Sequence, residues 1–541
     1  MSATHDATSL LIRGATVLDG TGADGIVADV TISHGRIAAI GQRPDANPAG
    51  RSIDARGLVL SPGFIDMHAH SDLQILVNPD HMAKVSQGVT TEVLGQDGLS
   101  FAPVDDRTRA AVRRQIAGWN GEPDDFDFSW NTVKGYLDRL DEGIACNAAY
   151  LVPQGTLRML VVGTQDRPAT KGELVTMKRL LAEGLQQGAV GMSSGLTYPP
   201  GMFADTNEIA ALCAVVAEHG GYFSPHTRSY GRGALEAYAE MVEVARRTGC
   251  ALHLTHATMN FEPNRGRAGE FLALVDAALE DGIDVTLDSY PYLPGSTTLA
   301  ALLPSWTAAD GPQALRAGLD DPAVCERIRY EVEQVGTDGC HGCVTDWSTI
   351  QVSGVRNPDL GAYVGRTVAA IAADEDTPPA DVFFSILRED DLATTILQHV
   401  GHEENVRAIM RHRVHCAGSD GILIGARPHP RSWGTFPRYL ARYCRELGVL
   451  SLPDCVHHLT GHPAHRLGLL DRGLVKAGYH ADLVLFDPQQ VRDAATFDSP
   501  RTQAEGIPWV LVGGVPVIAD GHRTDNLPGR ALRRTAEGTT R

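Results

Sequence analysis

The sequence predicts an α/β protein built on a barrel of eight parallel strands alternating with helices, with a small β domain assembled from both ends of the chain. Three observations predict it. Between residues 58 and 419, eight short apolar runs alternate with helix-patterned stretches, the rhythm of repeated β-α units. Both termini read instead as short strands separated by Gly and Asp turns. Histidines and aspartates gather at the C-terminal ends of the apolar runs, the face on which such barrels carry chemistry. Together these define a (β/α)8, TIM-like barrel. A doubly wound open sheet is the rival architecture, and no GxGxxG follows an early strand to support it.

Bulk properties bound the function. The chain has 541 residues, too many for one small core, so one large domain and a smaller one are expected. Lys and Arg total 47 against 66 Asp and Glu, a formal net charge of −19. Such a chain lacks the basic footprint that phosphate backbones and anionic membrane surfaces require, so the expected partner is a small molecule and not nucleic acid or a membrane. The start, "MSATHDATSL", has no basic segment followed by a long apolar one, and no 18-residue uncharged apolar run occurs. Nine scattered cysteines fit reduced thiols in the cytoplasm better than a disulfide framework. The oligomeric state does not follow from any of this.

Taken in order, residues 9–60 supply the strands "LLIRGATVLDG", "ADVTISHGRIAAIG" and "RSIDARGLVL", and the tail repeats the style in "ADLVLFD" and "WVLVGGVPVIADG". The small domain is therefore expected from 1–60 plus 470–541, and the barrel from 61–469. Barrel strands are expected at 58–68, 89–96, 146–152, 189–194, 221–226, 250–256, 283–289 and 413–419. The helix after the third strand opens on Thr170 and Glu173, spaced as a capping box, and closes on Gly188. The helix after the fifth aligns Leu235, Tyr238 and Met241 or Val242 on one face and stops at Gly249. Residues 297–412, between the seventh and eighth strands, are expected to be a mostly helical insert over the barrel mouth. The last fifteen or so residues, rich in Arg, Thr and Gly, are expected to fray. "CHGC", Cys340 to Cys343, reads as a pair of ordinary loop thiols, since no second pair lies near.

The strand ends carry the chemistry. The first ends in His68 and His70, which alternation puts on one side. The second ends in "VLGQDG" with Asp97, the fifth in "YFSPHTR" with His226, the sixth in "LHLTHAT" with His256, and the eighth in "CAGSDG" with Asp420. Imidazole and carboxylate suit zinc and similar divalent ions. Any one of these residues alone is more simply a hydrogen-bonded structural group, and Asp420 alone could cap the next helix. Their recurrence at one face is what points to a hydrolytic site holding one or two metal ions. His253, three residues before His256, falls on the other face and reads as packing; His81, His219, His399, His402, His412 and His415 receive no role.

"LSPGFIDMHAHSD", "GVTTEVLGQDGLS", "GAVGMSSGLTYPPGM", "DSYPYLPGSTTL", "GSDG", "HPRSWGTFPR" and "KAGYHADLVLFD" together resemble the amidohydrolase superfamily, and within it the N-acyl-D-amino-acid deacylases (D-aminoacylases). The resemblance runs along most of the chain. It implies a distorted barrel, a small β-sandwich from both termini, and a Zn2+-dependent hydrolase of acylated D-amino acids. It also implies that His226 and His256 hold the tight zinc, that His68 and His70 form a weaker second position, and that Asp420 transfers the proton. Arg431, Tyr290 and Ser296 correspond to residues binding the substrate's carboxylate and amide. Two departures stand out. Asp97 occupies the place of a zinc-binding cysteine, and Ala257-Thr258 follow His256 where the family carries His-Lys. One rival is a cyclic amidase, peptidase or lactonase on the same scaffold; cyclic amidases usually carry a lysine at strand four, which "GAVGMSSG" lacks. A second rival is a non-catalytic relative, which would tend to lose ligands that are all present here.

Overall fold

A glycine divides the first apolar run between two sheets. In the computed structural model, which describes residues 9–41, 51–309, 311–535 and 538–541, Val59–Pro62 pairs with Leu10–Val17 and Leu483–Phe486. Phe64–Asp66 instead starts the barrel by pairing with Val89–Leu94. Between them, a Cβ on Gly63 would lie 2.1 Å from Thr90 Oγ1. Only glycine lets the second barrel strand approach this closely.

The barrel strands are Phe64–Asp66, Val89–Leu94, Asn147–Pro153, Gly191–Gly195, Tyr222–His226, Ala251–Leu254, Val285–Ser289 and His415–Ala417, one in each expected run. Neighbours are parallel in chain order throughout. Backbone bonds from Met67 N to Ala417 O (3.1 Å) and from Asp420 N to His68 O (2.8 Å) bring the last strand back against the first and close the barrel. Inside, Ile65, Val93, Ala149, Leu151, Val190, Tyr222 and Cys416 share one buried cluster, so the barrel is filled below its mouth and is no pore. Outside, helices bury apolar stripes. Lys171–Gln186 carries the expected capping box, with Thr170 N donating to Glu173 Oε2 at 2.7 Å and Glu173 N to Thr170 Oγ1 at 3.3 Å. Ala234–Thr248 buries Tyr238, Met241 and Val242 and ends at Gly249 with φ +68°. Each such apolar side chain contributes about 1.5–3 kcal/mol by leaving water.

The two ends of the chain meet in one sheet of nine strands with its own core of Ile12, Val30, Ile37, Leu60, Leu483 and Leu511. The stretch expected as a mostly helical insert is more mixed. It has helices at Pro312–Leu319, Pro322–Tyr330, Val368–Asp374 and Pro379–Glu389, and also an antiparallel sheet of Gly295–Thr298, Thr395–Gln398 and Ile350–Gly354. A separate apolar core, including Val352, Phe383, Ile386 and Ile396, holds it together. The helix Glu403–Met410, by contrast, packs on the barrel.

The expectation that the tail frays is overturned. Leu532 N donates to Ala148 O at 2.8 Å, Ala148 N to Arg530 O at 3.0 Å and Thr540 N to Gly468 O at 3.0 Å, while Leu532 is buried. The described tail residues complete backbone pairing at the start of the third barrel strand, which composition does not reveal.

Candidate metal centre

Six side chains from five strand ends meet at the barrel mouth. Asp97 lies at the centre: its Oδ1 is 3.5 Å from His68 Nε2 and 3.4 Å from His256 Nε2. Its Oδ2 is 3.5 Å from His70 Nε2 and 3.3 Å from His226 Nδ1. One carboxylate thus faces two pairs of histidines. Asp420 Oδ1 lies 3.1 Å from His70 Nε2 and 3.7 Å from His68 Nε2. The donors fall into two sets sharing Asp97: His68, His70, Asp97 and Asp420, and Asp97, His226 and His256. Within each, the potential ligand atoms lie inside 4.8 Å of one another and every residue is buried.

The backbone is bent to aim them. Asp97 (φ 53°), His256 (φ 30°) and Asp420 (φ 48°) all adopt left-handed conformations, which cost a non-glycine residue on the order of 1–3 kcal/mol and persist only where surrounding structure imposes them. The surroundings do so here. His256 N donates to Asp288 Oδ1 at 3.0 Å, and His253 Nε2 contacts Asp288 Oδ2 at 3.0 Å. A Cβ on Gly418 would meet Asp288 Oδ1 at 2.4 Å, so glycine there leaves room for this brace. Beneath the first and eighth strands, fully buried Lys84 contacts Asp66 Oδ2 (2.6 Å) and Ser419 Oγ (2.7 Å). Asp66 in turn accepts from Ser419 N at 2.8 Å and His68 N at 3.2 Å. Lys84 and Asp66 therefore clamp the residues flanking Asp420 and His68.

The donor set fits a cation. His226 Nδ1 and His256 Nε2 are 3.1 Å apart, and His68 Nε2 and His70 Nε2 3.3 Å; such nitrogens repel as bare lone pairs unless a proton or cation lies between or beside them. Asp97 Oδ1 has no hydrogen-bond partner among the described residues. Burial opposes charge on Asp97, but His226, His68 and His256 outweigh it and hold its carboxyl well below the usual range. Burial likewise works against a protonated His70, yet Asp420 and Asp97 raise its pKa to about 10. Burial takes His68 down to about 4. The two carboxylates favour positive charge here, which a bound divalent ion would supply. Thr197 Oγ1 meets His226 Nε2 at 2.7 Å, leaving Nδ1 to face Asp97.

These groups form the floor of a cavity open to solvent, the concave setting in which small-molecule sites are built. Tyr290 and Ser296, to which the resemblance gives a substrate-binding role, line it. Arg431 does not. It is fully buried behind Asp420, with Nη2 2.9 Å from Asp420 Oδ2 as an ion pair, and its guanidinium carbon lies 4.5 Å over the Tyr290 ring. Its Nε and Nη1 have no partner among the described residues. Burial opposes ionisation of Asp420, and Arg431 and His70 reverse that, holding it below the usual carboxylate range. Sequence reasoning missed Trp119, Tyr198, Tyr230, Phe261 and His341, which also line the cavity. Trp119 lies on the short helix Ala117–Asn120 and the others in loops and the insert, outside the strand-end pattern. His341 sits inside "CHGC", whose flanking thiols are unpaired.

A closed parallel barrel with four imidazoles and two carboxylates at its mouth is the architecture of a metal-dependent hydrolase. The chain belongs to the amidohydrolase family, whose model matches residues 51–518. Its branch is that of the N-acyl-D-amino-acid deacylases. D-aminoacylase from Alcaligenes xylosoxydans xylosoxydans is 35% identical over 97% of this chain and 98% of its own. A solved D-aminoacylase structure, described for its binuclear metal centre, superposes with a TM-score of 0.82 at 34% identity, covering 97% of this chain and all of the other. N-acyl-D-glutamate deacylase from Bordetella bronchiseptica, solved with zinc and a phosphonate mimic of the tetrahedral intermediate, gives 0.81 at 32% identity with the same coverage.

Proposed function

We infer that this chain is a zinc-dependent deacylase that hydrolyses the amide bond of N-acyl-D-amino acids to a carboxylate and a free D-amino acid. One observation carries the reading: an ionised carboxylate, Asp420, stands beside two ligand sets that share Asp97 on the floor of an open cavity. His226, His256 and Asp97 would hold the principal ion, and His68, His70 and Asp97 a second one. When bound, a divalent ion supplies Lewis acidity, polarising the acyl carbonyl and bringing water's pKa toward neutrality.

The protein's own groups do the rest. Asp420, ionised by Arg431 and His70, accepts the proton of the attacking water at its Oδ1. It then returns that proton to the amide nitrogen as the C–N bond breaks, a role typically worth about 10²–10⁴ in rate. Tyr290 and Ser296, in the cavity wall, orient the substrate. Arg431, which the resemblance assigns to the substrate's α-carboxylate, stands behind Asp420 outside the lining and would pair with that carboxylate only after a rearrangement. The insert, which contributes His341 and Gln398 to the cavity wall, would act as a lid that excludes water. Cyclic amides are a weaker alternative, since the fourth strand Gly191–Gly195 has no lysine to offer. We place the enzyme in the cytoplasm, a setting supported by nine unpaired cysteines. Among the described residues no helix is long and apolar enough to cross a membrane.

Zinc-loaded protein assayed against paired N-acetyl-D- and N-acetyl-L-amino acids, with ninhydrin detection of amine, should release amine from the D series. Activity confined to cyclic amides or esters would displace this reading. Asp420→Asn should keep fold and zinc while lowering kcat at least about 10²-fold; near-normal turnover would remove Asp420 from the chemistry.

A further inference from the structure

The cavity wall away from the metal centre is uncharged. Its carboxylates are Asp97 and Asp420, both at the floor, and none of the residues lining it is Lys or Arg. The Arg431 guanidinium stands behind Asp420, outside the lining, and offers nothing to a second carboxylate. A second carboxylate, on a side chain, would enter with no cation to meet it.

A histidine of the insert forms part of this wall. His341 comes from the insert, on a loop latched to the loop after the fifth barrel strand: Arg232 N donates to His341 O at 3.0 Å, and Arg232 Nε to Gly342 O at 3.1 Å. Its ring packs edge-on to Tyr230 (5.6 Å) and against Phe261 (5.5 Å). Tyr230 in turn contacts His226 at 4.9 Å and His256 at 5.1 Å, so His341 is one ring removed from the metal centre. Its buried Nδ1 has no hydrogen-bond partner among the described residues, although an unpaired buried nitrogen is costly. Burial first, then His226 and His256, lower its pKa to about 3, so at neutral pH it is a neutral ring and no substitute for a cation. Thr258, Asn260 and Gln398 continue the wall with neutral polar groups.

We propose that His341 and this wall form the subsite for the substrate's amino-acid side chain, and that they select N-acyl-D-amino acids with uncharged side chains over those bearing a carboxylate. The proposal rests on the deacylase reading above and decides between substrate classes that the family as a whole admits, since a relative cleaves N-acyl-D-glutamate. The His341 ring with Tyr230 and Phe261 offers contact to an apolar side chain, and Thr258, Asn260 and Gln398 offer neutral polar groups to a polar one. A buried carboxylate left unpaired loses its hydration without return.

The test is an isosteric pair. N-acetyl-D-glutamine and N-acetyl-D-glutamate differ in charge and hardly in shape. The zinc-loaded enzyme should favour the glutamine compound in kcat/KM by at least about 10²-fold, the penalty of an uncompensated buried charge. A ratio near one overturns the proposal and leaves the deacylase reading standing. Hydrolysis of no N-acyl-D-amino acid, neutral compounds such as N-acetyl-D-methionine included, overturns that reading itself. His341→Lys puts a cation on the wall and should shift the ratio toward glutamate by at least about 10-fold; an unchanged ratio removes His341 from the subsite. Should His341→Lys not fold, by circular dichroism, Asn260→Lys carries the same charge to the same wall with the same two outcomes.

Discussion

Asp97 offers an oxygen to each of two histidine pairs, from a left-handed backbone that a side chain larger than glycine adopts only under constraint. That shared position makes it the residue whose loss should be felt by both ligand sets. Asp97→Ala is expected to strip zinc from the purified protein, measured per chain by atomic emission; undiminished metal would show that it is no ligand. Thr197 makes a subtler contribution. Its hydroxyl lies 2.7 Å from His226 Nε2; with a metal bound at Nδ1 it would accept the Nε2 proton and hold the ligating tautomer. Outer hydrogen bonds of this kind are typically worth about 10–100-fold in metal affinity. Thr197→Val, nearly the same shape without the hydroxyl, should weaken zinc by that factor in competition with a chromophoric chelator, and Thr197→Ser should restore it. Equal affinities in all three proteins would make the contact incidental.

Among the elements, the first and eighth barrel strands depend on a buried charge pair. Lys84 and Asp66 are fully buried and 2.6 Å apart. Burial presses the Asp66 carboxyl upward, and Lys84 opposes it. Removing one partner strands the other, and such losses cost about 3–5 kcal/mol. Lys84→Met should therefore lower the urea midpoint sharply, while Lys84→Met with Asp66→Asn should recover much of it; a single variant as stable as the parent would mean that the clamp is not stressed. The strands themselves were legible in the sequence because each is a short apolar run ending in a polar residue, with a helix signal between. Lys84 was not, since a lysine in "HMAKVSQG" looks like any solvated helix charge until two strands close over it. The insert's sheet was equally hidden: "GSTT" and "TILQ" are four-residue strands that pair across about 100 positions of sequence. His341 escaped for a third reason. Its place in the cavity depends on how the insert docks, and spacing along the chain carries no information about docking.

For the whole molecule, the ligand set could be read because a parallel barrel brings every strand's C-terminal end to one face, turning distant motifs into neighbours. The same closure buries histidines that have no part in the site. His415 Nδ1 lies 3.2 Å from His458 Nδ1, and the His458 and His462 rings are 6.4 Å apart. Burial first, then the mutual repulsion of neighbouring imidazoles, holds His415 well below its ordinary range, His458 at about 4 and His462 at about 3. In the unfolded chain each titrates near 6.5. Above that value folded and unfolded chains carry the same protons here, and the cluster's stability is fully present. Between 6.5 and about 4 the unfolded chain binds protons that the folded one refuses, so stability falls as pH falls, by up to about 1.4 kcal/mol per pH unit for each histidine. The melting temperature should therefore drop between pH 7 and pH 5. Because the metal centre also titrates, the decisive comparison is made on chelator-stripped protein, parent against His458→Gln. The variant removes one of the refused protons and should show a shallower decline over the same interval. Parallel curves would assign acid sensitivity to other groups.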